Sequence, residues 1–108
     1  MKKILFVASE CVPFIKTGGL ADVVGSLPQK FNREFYDVRV MIPMYSCIPL
    51  DLQKKFSFID HFYLSLSDWA KDKYVGVFKT VLNGITYYLI DNQEYFTCDT
   101  PYGDIRYD

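Results

Sequence analysis

The chain has 108 residues, half of them hydrophobic, and a formal net charge of −1. That length makes about one small domain, able to bury roughly two-thirds of its unfolded surface. The near-neutral balance supplies no broad basic field for nucleic acid or an anionic membrane. No stretch approaches the roughly 20 apolar residues of a membrane span, and the opening apolar run is too short for a signal-peptide core, which reads as a cytoplasmic protein.

In chain order, Ile4 to Ala8 form a short continuous apolar run, the pattern of a strand buried on both faces of a parallel sheet. Leu20, Val23, Val24, Leu27, Phe31 and Phe35 recur at helical spacing and predict a helix from Leu20 to Phe35, kinked or restarted at Pro28, which has no N–H. Asp37 to Ile42 read as a second strand ended by Pro43, completing a β-α-β unit. Met44 to Phe56 is a loop or a short helix, with one or two turns over Asp51 to Lys55.

From Ser57 onward the texture is β-prone, with Phe58, Ile59, Phe62, Tyr63, Leu64 and Leu66. Asn83-Gly84 between two apolar runs is a two-residue hairpin signature. The expected architecture is therefore α/β, a Rossmann-like mixed sheet with parallel strands at its heart and a hairpin at one side. The tail from Glu94 to Asp108 is aromatic and polar with no period of its own, which predicts a chain cut within a fold. Cys11, Cys47 and Cys98 are widely spaced with no CxxC pair, and His61 is the single histidine; free thiols are expected, and no metal site.

The chemistry-bearing segment is the loop Lys16-Thr17-Gly18-Gly19-Leu20-Ala21-Asp22. It follows a strand and opens a helix, so a cation, two glycines and the positive end of a helix dipole face whatever lies in front of it. Neither the GxxxxGK phosphate loop nor the GxGxxG dinucleotide fingerprint fits it. Gly18 and Gly19 are read as allowing close backbone approach and left-handed dihedrals. The plain alternative is a solvated lysine beside a structural turn. Asp22 suits the helix start. Glu10 and Cys11 end the first strand in backbone support, Gly25 is a helix-packing glycine and His61 a packed or strand-surface residue.

With Ser9-Glu10, Pro13, the run Lys16 to Pro28, Val40 to Tyr45, and Asn83-Gly84-Ile85 leading to Tyr88, Asp91-Asn92 and Tyr95-Phe96, the chain resembles the bacterial glycogen synthases and plant starch synthases. The resemblance covers residues 1–108 as the N-terminal part of the acceptor-side domain of a two-domain GT-B enzyme, truncated, with the C-terminal nucleotide-sugar domain absent. It implies transfer of glucose from ADP-glucose or UDP-glucose to an α-1,4-glucan with retention, without metal or other cofactor. Lys16, with Gly18 and Gly19, would bind the donor diphosphate; Asp22, Tyr95 and Phe96 would contact sugar or acceptor, the aromatic pair being equally suited to a core or interface. The departure from the family lies at Thr97 and Cys98, where a basic residue is expected, and in Pro101 to Asp108. The fragment alone is expected to be inactive. Other readings of the same loop are a sucrose- or trehalose-forming transferase and a non-catalytic glucan-binding module.

Overall fold

The computed structural model describes residues 1–65 and 73–92. Strands β1 (Lys2–Val7), β2 (Tyr36–Pro43), β3 (Ser57–Leu64), β4 (Lys73–Leu82) and β5 (Ile85–Asp91) form one sheet in the order β1-β2-β5-β4-β3. β1, β2 and β5 run parallel, with Ile4 opposite Val38 and Val40 opposite Tyr87. β4 and β3 add antiparallel strands beyond β5. The mixed sheet expected from sequence is thus present, with its parallel strands grouped at one end.

Helix α1 (Gly19–Ser26) and a 3-10 turn at Leu27–Lys30 connect β1 to β2. The predicted helix from Leu20 to Phe35 is therefore too long. Pro28 cannot donate to the carbonyl four residues back, so the regular ladder stops before it; the Ser26 hydroxyl donates to the Asp22 carbonyl at 2.8 Å and the Gln29 amide to that of Gly25 at 3.2 Å. Asn32 then turns the chain, its side-chain oxygen taking the Glu34 N–H and its carbonyl the N–H groups of Phe35 and Tyr36.

The buried face of α1 meets expectation at Val24 and differs from it at the other large residues of the helix. It consists of Ala21, Val24 and Gly25, continued by Pro28, at i, i+3, i+4 and i+7, whereas Leu20, Val23 and Leu27 are 47%, 53% and 42% exposed. Small residues let the helix lie close: a Cβ on Gly25 would stand 2.3 Å from Val12 Cγ2 and 3.0 Å from the Val12 carbonyl oxygen. Gly25 is a packing glycine, as its place in the sequence predicts.

The core lies on the α1 side of the sheet. Val38, Val40 and Ile42 alternate inward from β2 and Ile85, Tyr87 and Leu89 from β5, meeting Phe14, Val24, Tyr45 and Ile48. β1 is not buried on both faces, which corrects the reading of its apolar run. Among the described residues it is an edge strand whose Leu5 and Val7 point to the other side of the sheet, where no described helix packs. The loop after β2 contains α2 (Leu50–Gln53), a short piece of the expected helical turns. Asn83 and Gly84 join β4 to β5 with φ of 51° and 78°, the left-handed pair that closes a two-residue hairpin. β3 is exposed along its whole length, and its register with β4 shifts between Phe58 and Asp60.

Candidate functional site

The segment between β1 and α1 folds back on itself before it reaches Lys16. Cys11 and Ile15 exchange backbone hydrogen bonds, and the Val12 N–H donates to the Ala21 carbonyl at 3.1 Å. Between them Phe14 drops into the core, its ring 5.0 Å from that of Tyr87 and 5.9 Å from that of Phe56. This closed turn places Glu10, at the carboxyl end of the parallel strands, beside residues seven to eleven positions later. The Thr17 N–H donates to Glu10 Oε2 at 2.8 Å, the Thr17 hydroxyl donates to the same oxygen, and the Ala21 N–H donates to Oε1 at 3.2 Å.

Glu10 is therefore an external cap for α1, which has no side-chain cap of its own at Gly18. These donors, the Thr17 hydroxyl first, hold its carboxyl below the usual carboxylate range against the opposing effect of burial. The finding narrows the sequence reading of the loop. Part of the positive helix end is already spent on a buried carboxylate; among the described residues none accepts from the Gly19 or Leu20 N–H.

Lys16 stands at the exposed end of this scaffold. Its Nζ lies 2.7 Å from Asp22 Oδ2, and the two side chains are 53% and 56% exposed. Such an open pair contributes about 0–1 kcal/mol, so a better anion can displace it. Asp22 is in the first turn of α1 but makes no capping hydrogen bond, because Glu10 occupies that position. The left-handed dihedrals expected at Gly18 and Gly19 are also absent: Gly18 is extended, with φ of −165°, and neither glycine has positive φ. A Cβ on Gly19 would meet nothing within 4 Å. The fold itself thus leaves open space at Gly19, on the same loop as the lysine.

Lys16, Gly18, Gly19 and Asp22 are brought together, while Tyr95 and Phe96 lie outside the described residues. His61 is on the exposed ribbon, stacked on Tyr74 with ring centroids 5.9 Å apart, away from this loop. Cys11 is a buried free thiol pushed up to about 12 by desolvation, and Cys47 is also free; Cys98 is not among the described residues. No group of three or more His, Cys, Asp or Glu residues that could hold a metal ion occurs among the described residues.

The sequence pattern points to no function for Thr17 and only to backbone support for Glu10. The signal available was an acidic residue just after the first strand and a hydroxyl inside the glycine loop. A second polar cluster was also missed. Arg39 bonds to both carboxylate oxygens of Asp37 and to the Tyr88 hydroxyl, and lines a shallow depression of about 280 Å³ with Lys3 and Leu5. It lies on the sheet face opposite the core and does not reach the loop.

The starch synthase catalytic domain family matches residues 3–108. The chain belongs to that family. A glycogen synthase of Lachnospira eligens is 54% identical over 108 residues, covering 100% of this chain and 22% of the relative. A glycogen synthase of Clostridium kluyveri is 50% identical over 101 residues, covering 94% and 21%. The catalytic domain of starch synthase IV from Arabidopsis thaliana, solved bound to ADP and acarbose, superposes with a TM-score of 0.73 at 25% identity over 95% of this chain and 21% of its own. The chain thus spans about a fifth of the length of the relatives it matches, and its mixed sheet is the corresponding part of the starch synthase catalytic fold.

Proposed function

We propose that this chain forms the first part of the acceptor-side domain of a cytoplasmic α-1,4-glucan synthase, which transfers glucose from ADP-glucose to the non-reducing end of a glucan with retention. The observation that carries the reading is the exposed Lys16 ammonium, held only by an open pairing with Asp22, on an anchored loop that also leaves free space at Gly19. As the glycosidic bond to the diphosphate breaks, negative charge grows on the departing phosphate oxygen. Lys16 leaves Asp22 for that charge, and the Gly19 and Leu20 N–H groups face the same anion. A carboxylate freed in this exchange is suited to accept from sugar hydroxyls, the role proposed for Asp22.

The nucleotide and most of the glucose are held by a second Rossmann-like domain across a cleft. The reaction proceeds without a metal ion, its countercharge supplied by basic side chains. ADP as the donor nucleotide is supported by the ligand of the Arabidopsis relative. The chain by itself contributes one wall of the cleft and is inactive. Product analysis of the full-length protein tests the reading: incubated with ADP-glucose or UDP-glucose and with glycogen, fructose or glucose 6-phosphate, it lengthens glycogen and uses ADP-glucose better. Transfer only to a small sugar contradicts it.

A further inference from the structure

We propose that Glu10 is the positioning residue of the donor loop, its carboxylate bridging Thr17 and the first turn of α1 so that Lys16 and the Gly19 and Leu20 N–H groups are held ready for a diphosphate. The proposal rests on the donor-site reading above and extends it to a side chain that cannot itself reach the donor, since Glu10 is only 3% exposed.

The geometry is that of a clamp. Oε2 takes both the N–H and the hydroxyl of Thr17, and Oε1 takes the Ala21 N–H. The segment Gly18 to Leu20 is spanned between these two anchor points, and Lys16 immediately precedes the first. Two adjacent glycines without such a bridge would sample many backbone conformations, and each would carry the lysine and the N–H groups elsewhere. The backbone that carries the carboxylate is tied down on both sides, before it by the Ala8 N–H donating to the Met41 carbonyl at 3.1 Å and after it by the Cys11–Ile15 exchange and the Val12-to-Ala21 bond.

Three donors converge on one group, so only the ionised acid satisfies them; the lowered carboxyl pKa agrees. Glutamine is nearly isosteric but has one acceptor oxygen, and its NH₂ would face an N–H. One leg of the clamp is lost, while burial and volume are kept.

A second consequence is electrostatic. With Glu10 taking up the start of the helix, the dipole is partly neutralised before any ligand arrives. Anion recognition therefore falls chiefly on Lys16, and holding that residue in place matters more than in a loop whose helix end is free.

The test uses the full-length enzyme and separates kcat from KM for ADP-glucose and for glycogen in Lys16→Ala, Glu10→Gln, Thr17→Val and the double variant Lys16→Ala/Glu10→Gln. Lys16→Ala is expected to lower kcat/KM for ADP-glucose about a hundredfold. Glu10→Gln and Thr17→Val are expected to lower it about tenfold, with a raised KM for ADP-glucose and an unmoved KM for glycogen. In the Glu10→Gln background, Lys16→Ala then costs only about tenfold more, because a misplaced lysine has less to lose. Thr17→Ser, which keeps the hydroxyl, recovers most of the Thr17→Val loss. A damaging Lys16→Ala with wild-type kinetics in Glu10→Gln and Thr17→Val overturns the positioning role alone. The same holds if the losses multiply independently or if only kcat falls with the amount of folded protein. A harmless Lys16→Ala overturns the donor-site reading itself.

Discussion

The two ends of the sheet are built on different terms. In the parallel end, β2 buries every second side chain, and the turn after β1 inserts Phe14 between Tyr87 and Phe56. In the antiparallel end, β3 is exposed at every position, and Phe58, Phe62 and Tyr63 are 53%, 44% and 61% exposed. Both ends are rich in aromatic residues. What separates them is a layer on top: α1 and its flanking loops cover the parallel strands, and nothing among the described residues covers β3. The loop bearing Lys16 belongs to the covered end, where the turn that leads into it is anchored by Phe14.

The largest expected effect breaks this contrast at its strong side. Phe14→Ala empties a fully buried site and should cost about 3–5 kcal/mol in denaturant unfolding of the full-length protein. Gly25→Ala forces α1 away from Val12, where a Cβ would stand 2.3 Å from Cγ2; an overpacking cost of about 1–3 kcal/mol is expected by the same measurement. Phe62→Ala on β3 removes a ring of which nearly half is already in solvent. It should cost about 1 kcal/mol or less in a protein where β3 is as exposed as it is here. A cost like that of Phe14 would show that β3 is covered in the full-length protein.

The acid side of the stability profile sharpens the comparison at the loop. The Glu10 carboxyl is held below its ordinary value of 4.5. Above that value the folded and unfolded states are both ionised, and its stabilisation is fully present. As pH falls through the ordinary value the unfolded chain takes up a proton first, and the stabilisation is lost down to the lowered folded value. Glu10→Gln should therefore flatten part of the decline in stability below about pH 4.5 relative to wild type. An unchanged slope in acid would show that the carboxylate is not engaged as described.

Much of this fold is legible locally. The hairpin at Asn83-Gly84 is, because two adjacent left-handed residues need that chemistry, and so is the second strand with its proline end. The stop of α1 was half legible: Pro28 marked a break, but the apolar positions Leu20, Val23 and Leu27 suggested the wrong inward face. Their exposure follows from close packing of Ala21 and Gly25, which periodicity of large residues does not reveal. The apolar run of β1 looked doubly buried because its composition reports what a strand can pack against, whereas its place at the sheet edge depends on which neighbours are present.

At the candidate site, the sequence puts Lys16, Gly18, Gly19 and Asp22 on one loop, and the structure pairs Lys16 with Asp22. The clamp at Glu10 is not legible in the sequence, because it joins residues seven and eleven positions apart through a turn whose shape depends on Phe14 entering the core. Close backbone approach and left-handed dihedrals are expected at the glycines; the structure leaves open space at Gly19 and gives neither a positive φ.

The central claim is that Lys16, held on this loop, takes the charge of the donor diphosphate. The most direct measurement is kcat/KM for ADP-glucose in the full-length enzyme carrying Lys16→Ala, taken together with its Tm. Because Lys16 is half exposed and its pairing with Asp22 is an open surface contact, the account predicts a loss of about a hundredfold in kcat/KM with a Tm close to that of wild type. Wild-type kinetics in that variant would contradict it.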